Sequence, residues 1–260
     1  MIEKYINKII NKDCIKVLKT FPDESVDLCF ADPPFNLGKA YHQYIDKLSE
    51  KDYLAWSREW LAELVRITKP TGSIFIHNIP RWLIHYASYL SEVAHLQHWI
   101  VWDSLARPCR KTFLPSHYGI LFYTKKKQGF TFNEIRSPHK LCPRCKCFLK
   151  DYGSKPRHPY GPVLNDVWSD ISRVQSKLLR ENHPCPLPEK LLERIILTTT
   201  NVGDIVLDPF SGTGTTAVVA KKLGRKFIGI ELDKSYASFS QKRLEAITQT
   251  TAEPQYHKLA

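Results

Sequence analysis

The residues best suited to chemistry fall in two short segments, each at the end of a run of β-forming apolar residues. The first is Asp32-Pro33-Pro34-Phe35-Asn36, directly after Val26-Asp27-Leu28-Cys29-Phe30-Ala31. Consecutive prolines fix φ and remove backbone donors, so the Asp32 carboxylate and the Pro33 carbonyl become acceptors held in place. Two acceptors converging on one point suit a group with two N–H donors, such as an exocyclic amine. The Phe35 ring, two residues beyond Pro33, can stack on a planar base carrying that amine. Taken alone, Asp-Pro-Pro after a strand also reads as a simple strand terminator.

The second segment is Asp208-Pro209-Phe210-Ser211-Gly212-Thr213-Gly214-Thr215-Thr216. Gly212 and Gly214 let the backbone turn tightly and approach a ligand with no Cβ in the way. The crevice beyond the carboxyl end of a strand is where open α/β sheets bind ligands. Glu231 closes the next strand, and a carboxylate there can accept both hydroxyls of a ribose. The combination suits an adenosine-containing ligand. A Walker phosphate loop fits poorly because no Gly-Lys-Ser/Thr follows, and the dinucleotide Gly-x-Gly-x-x-Gly pattern is incomplete. Alone, this segment also reads as a tight strand–helix turn with Glu231 capping a strand.

The elements around these segments alternate. Residues 26–31 form a buried strand, and Tyr53, Trp56, Trp60, Leu64 and Ile67 mark the apolar stripe of a helix over 51–68. Pro70-Thr71-Gly72 breaks that helix before a strand at Ser73-Ile74-Phe75-Ile76-His77. Pro80 opens a helix running to about His95, and 99–102 and 118–123 are further strands. After Pro188 come a helix (188–200), a strand (204–208), a helix (214–223), a strand (226–231) and a final helix (234–248). Such alternation implies parallel strands with crossover helices. Trp56 and Trp60 read as core residues, His77, His85, His95 and His98 as ordinary surface or core-edge residues, and the tail after Thr250 as loose.

Composition narrows the class. The chain has 260 residues, 43% hydrophobic and 25% charged, an ordinary globular make-up able to bury a core without disulfides. The start lacks the apolar region of a secretory signal, and no apolar run approaches the roughly 18–20 residues of a membrane span. Seven scattered cysteines suit a reducing compartment, so the reading is a cytoplasmic protein. The formal charge is +12, with 38 Lys and Arg against 26 Asp and Glu, which favours an acidic partner, nucleic acid above all.

That charge is concentrated. Between Lys125 and Arg157 ten basic residues face only Glu134 and Asp151, inside an aperiodic stretch from about 125 to 185. A solvated loop is the plain reading. Phe130, Phe132, Phe148, Tyr152 and Tyr160 interleave the charges, which favours a nucleic-acid-contacting insertion. Arg107, Arg110, Lys111 and His117, in a loop between strands, suit phosphate contact without specifying it. Within the insertion, Cys142-Pro143-Arg144-Cys145-Lys146-Cys147 resembles half of a zinc ribbon that His139 or His158 could complete. The second Cys-x-x-Cys is missing, so no metal site is assigned.

Together, Asp32-Pro33-Pro34-Phe35 and, far downstream, Asp208 to Thr216 resemble the β-class amino-group (N6-adenine/N4-cytosine) S-adenosylmethionine-dependent DNA methyltransferases. In that family the catalytic motif precedes the cofactor motif, with target recognition between them. Three further segments match in order. Asp13-Cys14 is similar to the early cofactor-contacting segment. His183-Pro184-Cys185-Pro186-Leu187-Pro188 is similar to the segment bordering the methionine end of the cofactor. Gly224 to Glu231 is similar to the strand whose acid holds ribose.

The resemblance implies a Rossmann-like α/β methyltransferase fold, with a mostly parallel twisted sheet, helices on both faces and an irregular basic insertion. It implies one catalytic domain over 1–260, with target recognition at about 125–182. The implied reaction is methyl transfer from S-adenosylmethionine to adenine N6 in DNA, by base flipping and direct in-line transfer. Asp32, Pro33, Pro34 and Phe35 would be catalytic. Asp13, Cys14, Asp32, His183, Asp208, Pro209, Phe210, Gly212, Gly214, Thr215 and Glu231 would bind the cofactor. Cytosine N4 is the alternative target, because in the family Asp-Pro-Pro usually goes with adenine and Ser-Pro-Pro with cytosine. RNA or protein-amide methylation and a non-catalytic DNA-binding module are the more distant alternatives. Expected partners are double-stranded DNA, a cognate restriction endonuclease acting on the same site and a second copy of the chain.

The insertion supplies the expected DNA contacts: Arg136, Lys140, Arg144, Lys146, Lys150, Lys155 and Arg157. Neutralising several of them together is expected to weaken DNA binding and flatten its dependence on salt. Affinities measured across a salt series check this; an unchanged slope would move the binding surface elsewhere.

Overall fold

Two sets of three helices carry their apolar stripes to opposite faces of one sheet. The computed structural model describes residues 2–38, 46–104, 113, 115–136, 162–174 and 186–247, and the backbone of 257–258. After a short 3-10 turn the elements are β1 (Lys8–Asn11), α1 (Cys14–Leu18), β2 (Val26–Ala31), α2 (Glu50–Ile67), β3 (Thr68–Asn78), α3 (Pro80–Val93), β4 (His95–Asp103) and β5 (His117–Thr124). Then come β6 (Ile135–Arg136), β7 (Val167–Trp168), α4 (Glu189–Thr199), β8 (Ile205–Asp208), α5 (Thr215–Lys222), β9 (Lys226–Glu231), α6 (Lys234–Glu245) and β10 (His257–Lys258). Among the described residues no helix is long and apolar enough to cross a membrane.

Eight strands form one sheet in the order β1-β9-β8-β2-β3-β5-β4-β7. The pleat sends alternate side chains to opposite faces. Cys29, Ala31, Ile74, Ile76, Leu207 and Ile228 pack with Leu18, Trp60, Leu64, Trp82 and Leu90 on one face. Leu28, Phe30, Phe75, Val206 and Phe227 pack with Leu192, Ile195, Ala217 and Leu244 on the other. Strands apolar on both sides are what a doubly covered parallel sheet requires.

The chain leaves β2 for α2 on the first face and leaves β8 for α5 on the second. Since β2 and β8 are parallel neighbours, with Leu28 opposite Val206 and Cys29 opposite Leu207, the connections diverge between them. That divergence opens a crevice at the carboxyl ends of the two strands.

The elements expected after Pro188 appear within two or three residues of their expected bounds, and the α2 stripe is as read, with Tyr53, Trp60, Leu64 and Ile67 buried. Three features differ. β1 and α1 were not anticipated, because four residues at a sheet edge and a five-residue helix carry too little periodicity. α2 ends at Ile67, ahead of Pro70-Thr71-Gly72 as read, but that segment already lies inside β3, which starts at Thr68 and shifts register on β2 between Val26 and Leu28. β5 runs antiparallel between β3 and β4; the sequence between Trp102 and Tyr118 holds no periodic apolar segment of the kind that marks a crossover. The sheet is thus mostly parallel, with one reversed strand.

The insertion is more integrated than its composition suggests. Ile135, Trp168 and Ile171 are buried, β7 extends the sheet beside β4, and the Trp102 indole N–H donates to the Ile171 carbonyl at 2.8 Å. Arg194, wholly buried, pairs with Asp170 at 2.6 Å and lies over the Trp168 ring at 4.9 Å. Of the tail, only His257–Lys258 is described, paired antiparallel with β6.

Gly72 sits where the shifted register brings strands close: a Cβ there would lie 2.6 Å from the Asp27 carbonyl oxygen and 2.9 Å from Thr68 Cγ2. Gly72→Ala is therefore expected to destabilise the protein by about 1–3 kcal/mol, read from the midpoint of urea unfolding.

Candidate active site

Asp32 follows β2 at its carboxyl end. Phe30 and Ala31 pair with Phe75 and Ile76 of β3, so the next step places Asp32 beside His77. Their side chains meet, Oδ1 to Nδ1, at 2.7 Å. The sequence reading of His77 as an ordinary core-edge residue missed this contact, which depends entirely on strand register.

The two helices facing this segment hold its backbone. Tyr53 of α2 donates its hydroxyl to the Pro34 carbonyl at 2.5 Å and accepts from the Tyr86 hydroxyl at 2.8 Å. Trp82 of α3 donates its indole N–H to the Phe35 carbonyl at 2.6 Å. Asn36, at φ 53°, accepts from the Leu48 N–H at 2.7 Å and donates to the Leu48 carbonyl at 2.9 Å. The prolines stiffen the segment, and buried donors decide where it points. The Phe35 ring is buried and tilted against His77 and Tyr118, at 5.7 and 5.8 Å between centroids.

The loop after β8 is equally constrained. Asp208 accepts from the Phe210 N–H at 2.9 Å and the Thr216 hydroxyl at 2.6 Å, closing the turn on itself. Gly214, in the left-handed region at φ 77°, stands where a Cβ would meet Ser240 at 2.8 Å. Ser240 donates its hydroxyl to the Gly212 carbonyl at 2.8 Å. Glu231 spans the gap between strands, accepting from the Gly212 N–H at 2.7 Å and the Asp233 N–H at 2.8 Å. Phe210 meets Trp56 and Trp60 edge-on at 5.6 and 5.3 Å, so the stripe that builds the core also seats the loop.

Asp32 and the 208–216 loop line one cleft, together with Pro186 and Leu187. Of the expected residues it brings together Asp32, Asp208, Phe210, Gly212 and Thr215; Ser211, Thr213 and Thr216 also line it. Pro209 and Gly214 shape the same loop, and Glu231 holds it from behind. β1 pairs with β9 so that Asn11 lies opposite Glu231, and Asp13 and Cys14 follow at the start of α1, not among the residues that line the cleft. There Asp13 caps α1, accepting from the Lys16 N–H at 2.9 Å. Burial raises the Cys14 thiol to about 12, so it is no thiolate nucleophile.

The expected recognition residues Lys140, Arg144, Lys146, Lys150, Lys155 and Arg157 lie outside the described residues, as do His183 and the cysteines at 142, 145 and 147. Arg136 is described, in β6. Its guanidinium pairs with Glu134 at 2.7 Å, and nearby Asn133 donates to the Leu197 and Thr200 carbonyls. Those carbonyls mark the end of α4 opposite Leu187, so 133–136 lie away from the cleft. The returning segment does approach it: exposed Arg173 lies 5.8 Å over the Tyr118 ring, which stands beside Phe35 and His77. No sequence signal marked Arg173. Nor did any mark Arg243, which donates to the Thr213 carbonyl at 2.6 Å.

Three carboxylates crowd this site. Burial pushes Asp208 up to about 7, and the charges of Asp32 and Glu231 add to it against the hydrogen bonds from Thr216 and Phe210. Burial also raises Glu231. An acid whose folded pKa lies above its unfolded value keeps its proton longer in the folded state, so stability falls as pH rises between the two values. The unliganded protein is expected to lose on the order of a few kcal/mol between about pH 4 and 7 from Asp208, and Asp208→Asn to flatten that decline. Urea unfolding at a series of pH values reads it; parallel declines in both proteins would contradict the assignment.

The model of the N6_N4_Mtase DNA methylase family matches residues 26–242. The type II methyltransferase M.BamHI of Bacillus amyloliquefaciens is 44% identical over 231 residues, covering 87% of this chain, which spans 55% of that relative's length. The DNA adenine methyltransferase YhdJ of Escherichia coli is 38% identical over 250 residues, covering 94% of this chain and 85% of its own. Among solved structures, the M1.HpyAVI–SAM complex superposes with a TM-score of 0.63 at 27% identity, covering 91% of this chain and 98% of its own. The cytosine-N4-specific PvuII DNA methyltransferase, at TM-score 0.67 and 19% identity over 93% of this chain and 88% of its own, shares the fold. The chain belongs to the N6_N4_Mtase family of DNA methylases, whose cofactor is S-adenosylmethionine.

Proposed function

We propose that the protein methylates the N6 amino group of adenine at a specific site in double-stranded DNA. The observation that carries this reading is one cleft lined by both Asp32 and the Asp208–Thr216 loop. The residues present fit S-adenosylmethionine. The Ser211 hydroxyl is buried in the loop without a partner among the described residues, and Asp32, Asp208 and Glu231 supply negative charge for a cationic ligand. Asp208 and Glu231 hold the loop in shape, and Gly212 keeps its backbone open to the cleft. When bound, the cofactor supplies a methyl group on a positively charged sulfur.

The rest falls to this chain's own groups. The target amine's lone pair is conjugated with its ring, so the amine is a poor nucleophile. Asp32 and the Pro33 carbonyl can accept hydrogen bonds from its two N–H groups and favour a tetrahedral nitrogen whose lone pair is free; the one proton lost on methylation leaves from the nitrogen beside Asp32. Asp32 also stabilises positive charge developing there. The base must leave the duplex to reach this site, and the Phe35–Tyr118 rings provide an aromatic wall for it. A carboxylate at position 32, and the adenine designation of YhdJ, support adenine. The type II designation of the other relatives supports a role beside a restriction endonuclease acting on the same site. Target recognition by residues within about 125–182, and pairing of two copies, complete the reading.

Transfer of tritium from labelled S-adenosylmethionine into DNA, followed by nucleoside analysis, tests the proposal. N6-methyladenine is expected; N4-methylcytosine as sole product overturns the choice of base, and no incorporation despite cofactor binding overturns the activity. Asp32→Ala is expected to abolish transfer while weakening cofactor binding far less, since Asp208 and Glu231 remain.

A further inference from the structure

We infer that His77 is a positioning residue for methyl transfer: its Nδ1–H holds Asp32 in the orientation that receives the target amine. This rests on the proposed methylation and adds to it a residue outside both motifs. His77 is the penultimate residue of β3, and its place beside Asp32 follows from the register of β2 on β3. The Nδ1 to Oδ1 distance is 2.7 Å, that of a charge-assisted hydrogen bond. The imidazole is 2% exposed and boxed in by Phe35, Tyr118 and Trp102, whose ring centroids lie 5.7, 5.0 and 5.7 Å away. The ring has nowhere to turn.

The other nitrogen decides the tautomer. Nε2 is buried with no hydrogen-bond partner among the described residues. An N–H orphaned in an apolar box forfeits a strong donor, while an orphaned lone pair is better tolerated. The proton therefore resides on Nδ1, and His77 donates to Asp32. This donation occupies Oδ1, preserves the carboxylate as an acceptor and stops it rotating. Oδ2 has no hydrogen bond to the described residues and is left for the amine. An aspartate following a strand has two free torsions, and without His77 one of them is released in the group whose placement sets the geometry of transfer.

Three variants test this at saturating DNA and cofactor. His77→Leu removes the donor; His77→Asn returns an N–H near the position of Nδ1; His77→Gln places its N–H near Nε2, beyond reach of Asp32. In His77→Leu the kcat is expected to fall about ten- to a hundredfold, with cofactor and DNA dissociation constants within about twofold of wild type. His77→Asn should recover most of the rate and His77→Gln should not. If His77→Leu does not fold, the contrast between Asn and Gln at matched melting temperatures decides. Equal rates for Asn and Gln, an undiminished kcat in Leu, or a loss confined to cofactor affinity overturns the inference. A wild-type protein that transfers no methyl to DNA overturns the proposed function instead.

Discussion

The parallel pairing of β2 with β8 is the constraint on which the rest depends. It joins two segments far apart in the chain, Leu28 against Val206 and Cys29 against Leu207, and so brings the ends of both strands to one crevice. Because the following helices leave to opposite faces of the sheet, a space opens between them. The residues best equipped for chemistry, Asp32 and the 208–216 loop, stand on either side of that gap. Shifting β8 to another place in the sheet would leave both motifs intact and separate them.

Around the crevice, rigidity comes from buried donors more than from the loops' own stiffness. Tyr53 and Trp82 donate to the Pro34 and Phe35 carbonyls, Ser240 donates to that of Gly212, and Glu231 accepts from the N–H of Gly212. Each partner sits on an element already locked into the apolar core, so the order of the core passes to the site through single hydrogen bonds. The arrangement has a cost. Asp208 and Glu231 are removed from water close to Asp32, with no cation acting on them among the described residues, which disfavours their charged forms. A binding site for a positively charged ligand accounts for retaining them, since that ligand would relieve the repulsion.

Legibility differed by element. Strands β2, β8 and β9 were readable because a doubly covered parallel strand is an uninterrupted apolar run. α2 was readable because its stripe keeps helical spacing over eighteen residues. β1, α1 and the two-residue strands β6 and β7 were not, since so few residues establish no period. Pro70-Thr71-Gly72 marked the end of α2 but hid the start of β3, because Gly72 serves a close strand contact, a demand set by β2 and invisible locally. The basic run divided in the same way: its charge was legible, but not that its beginning is anchored at the end of the sheet away from the cleft.

By itself the sequence determined the chemistry available. The carboxylate and stiffened backbone at Asp32-Pro33-Pro34, the glycine-bearing turn at 208–216 and the acid at Glu231 are properties of residue type and short spacing, which no packing can supply or remove. Only the tertiary structure decided which groups act on one another. His77 against Asp32, Tyr53 beneath Pro34, Phe210 on Trp60 and Arg173 over Tyr118 join residues from different elements, through strand register and helix packing. A hydrogen bond extends only about 3 Å, and neighbours at that range are selected by the burial of the whole core rather than by anything in their own stretch of chain.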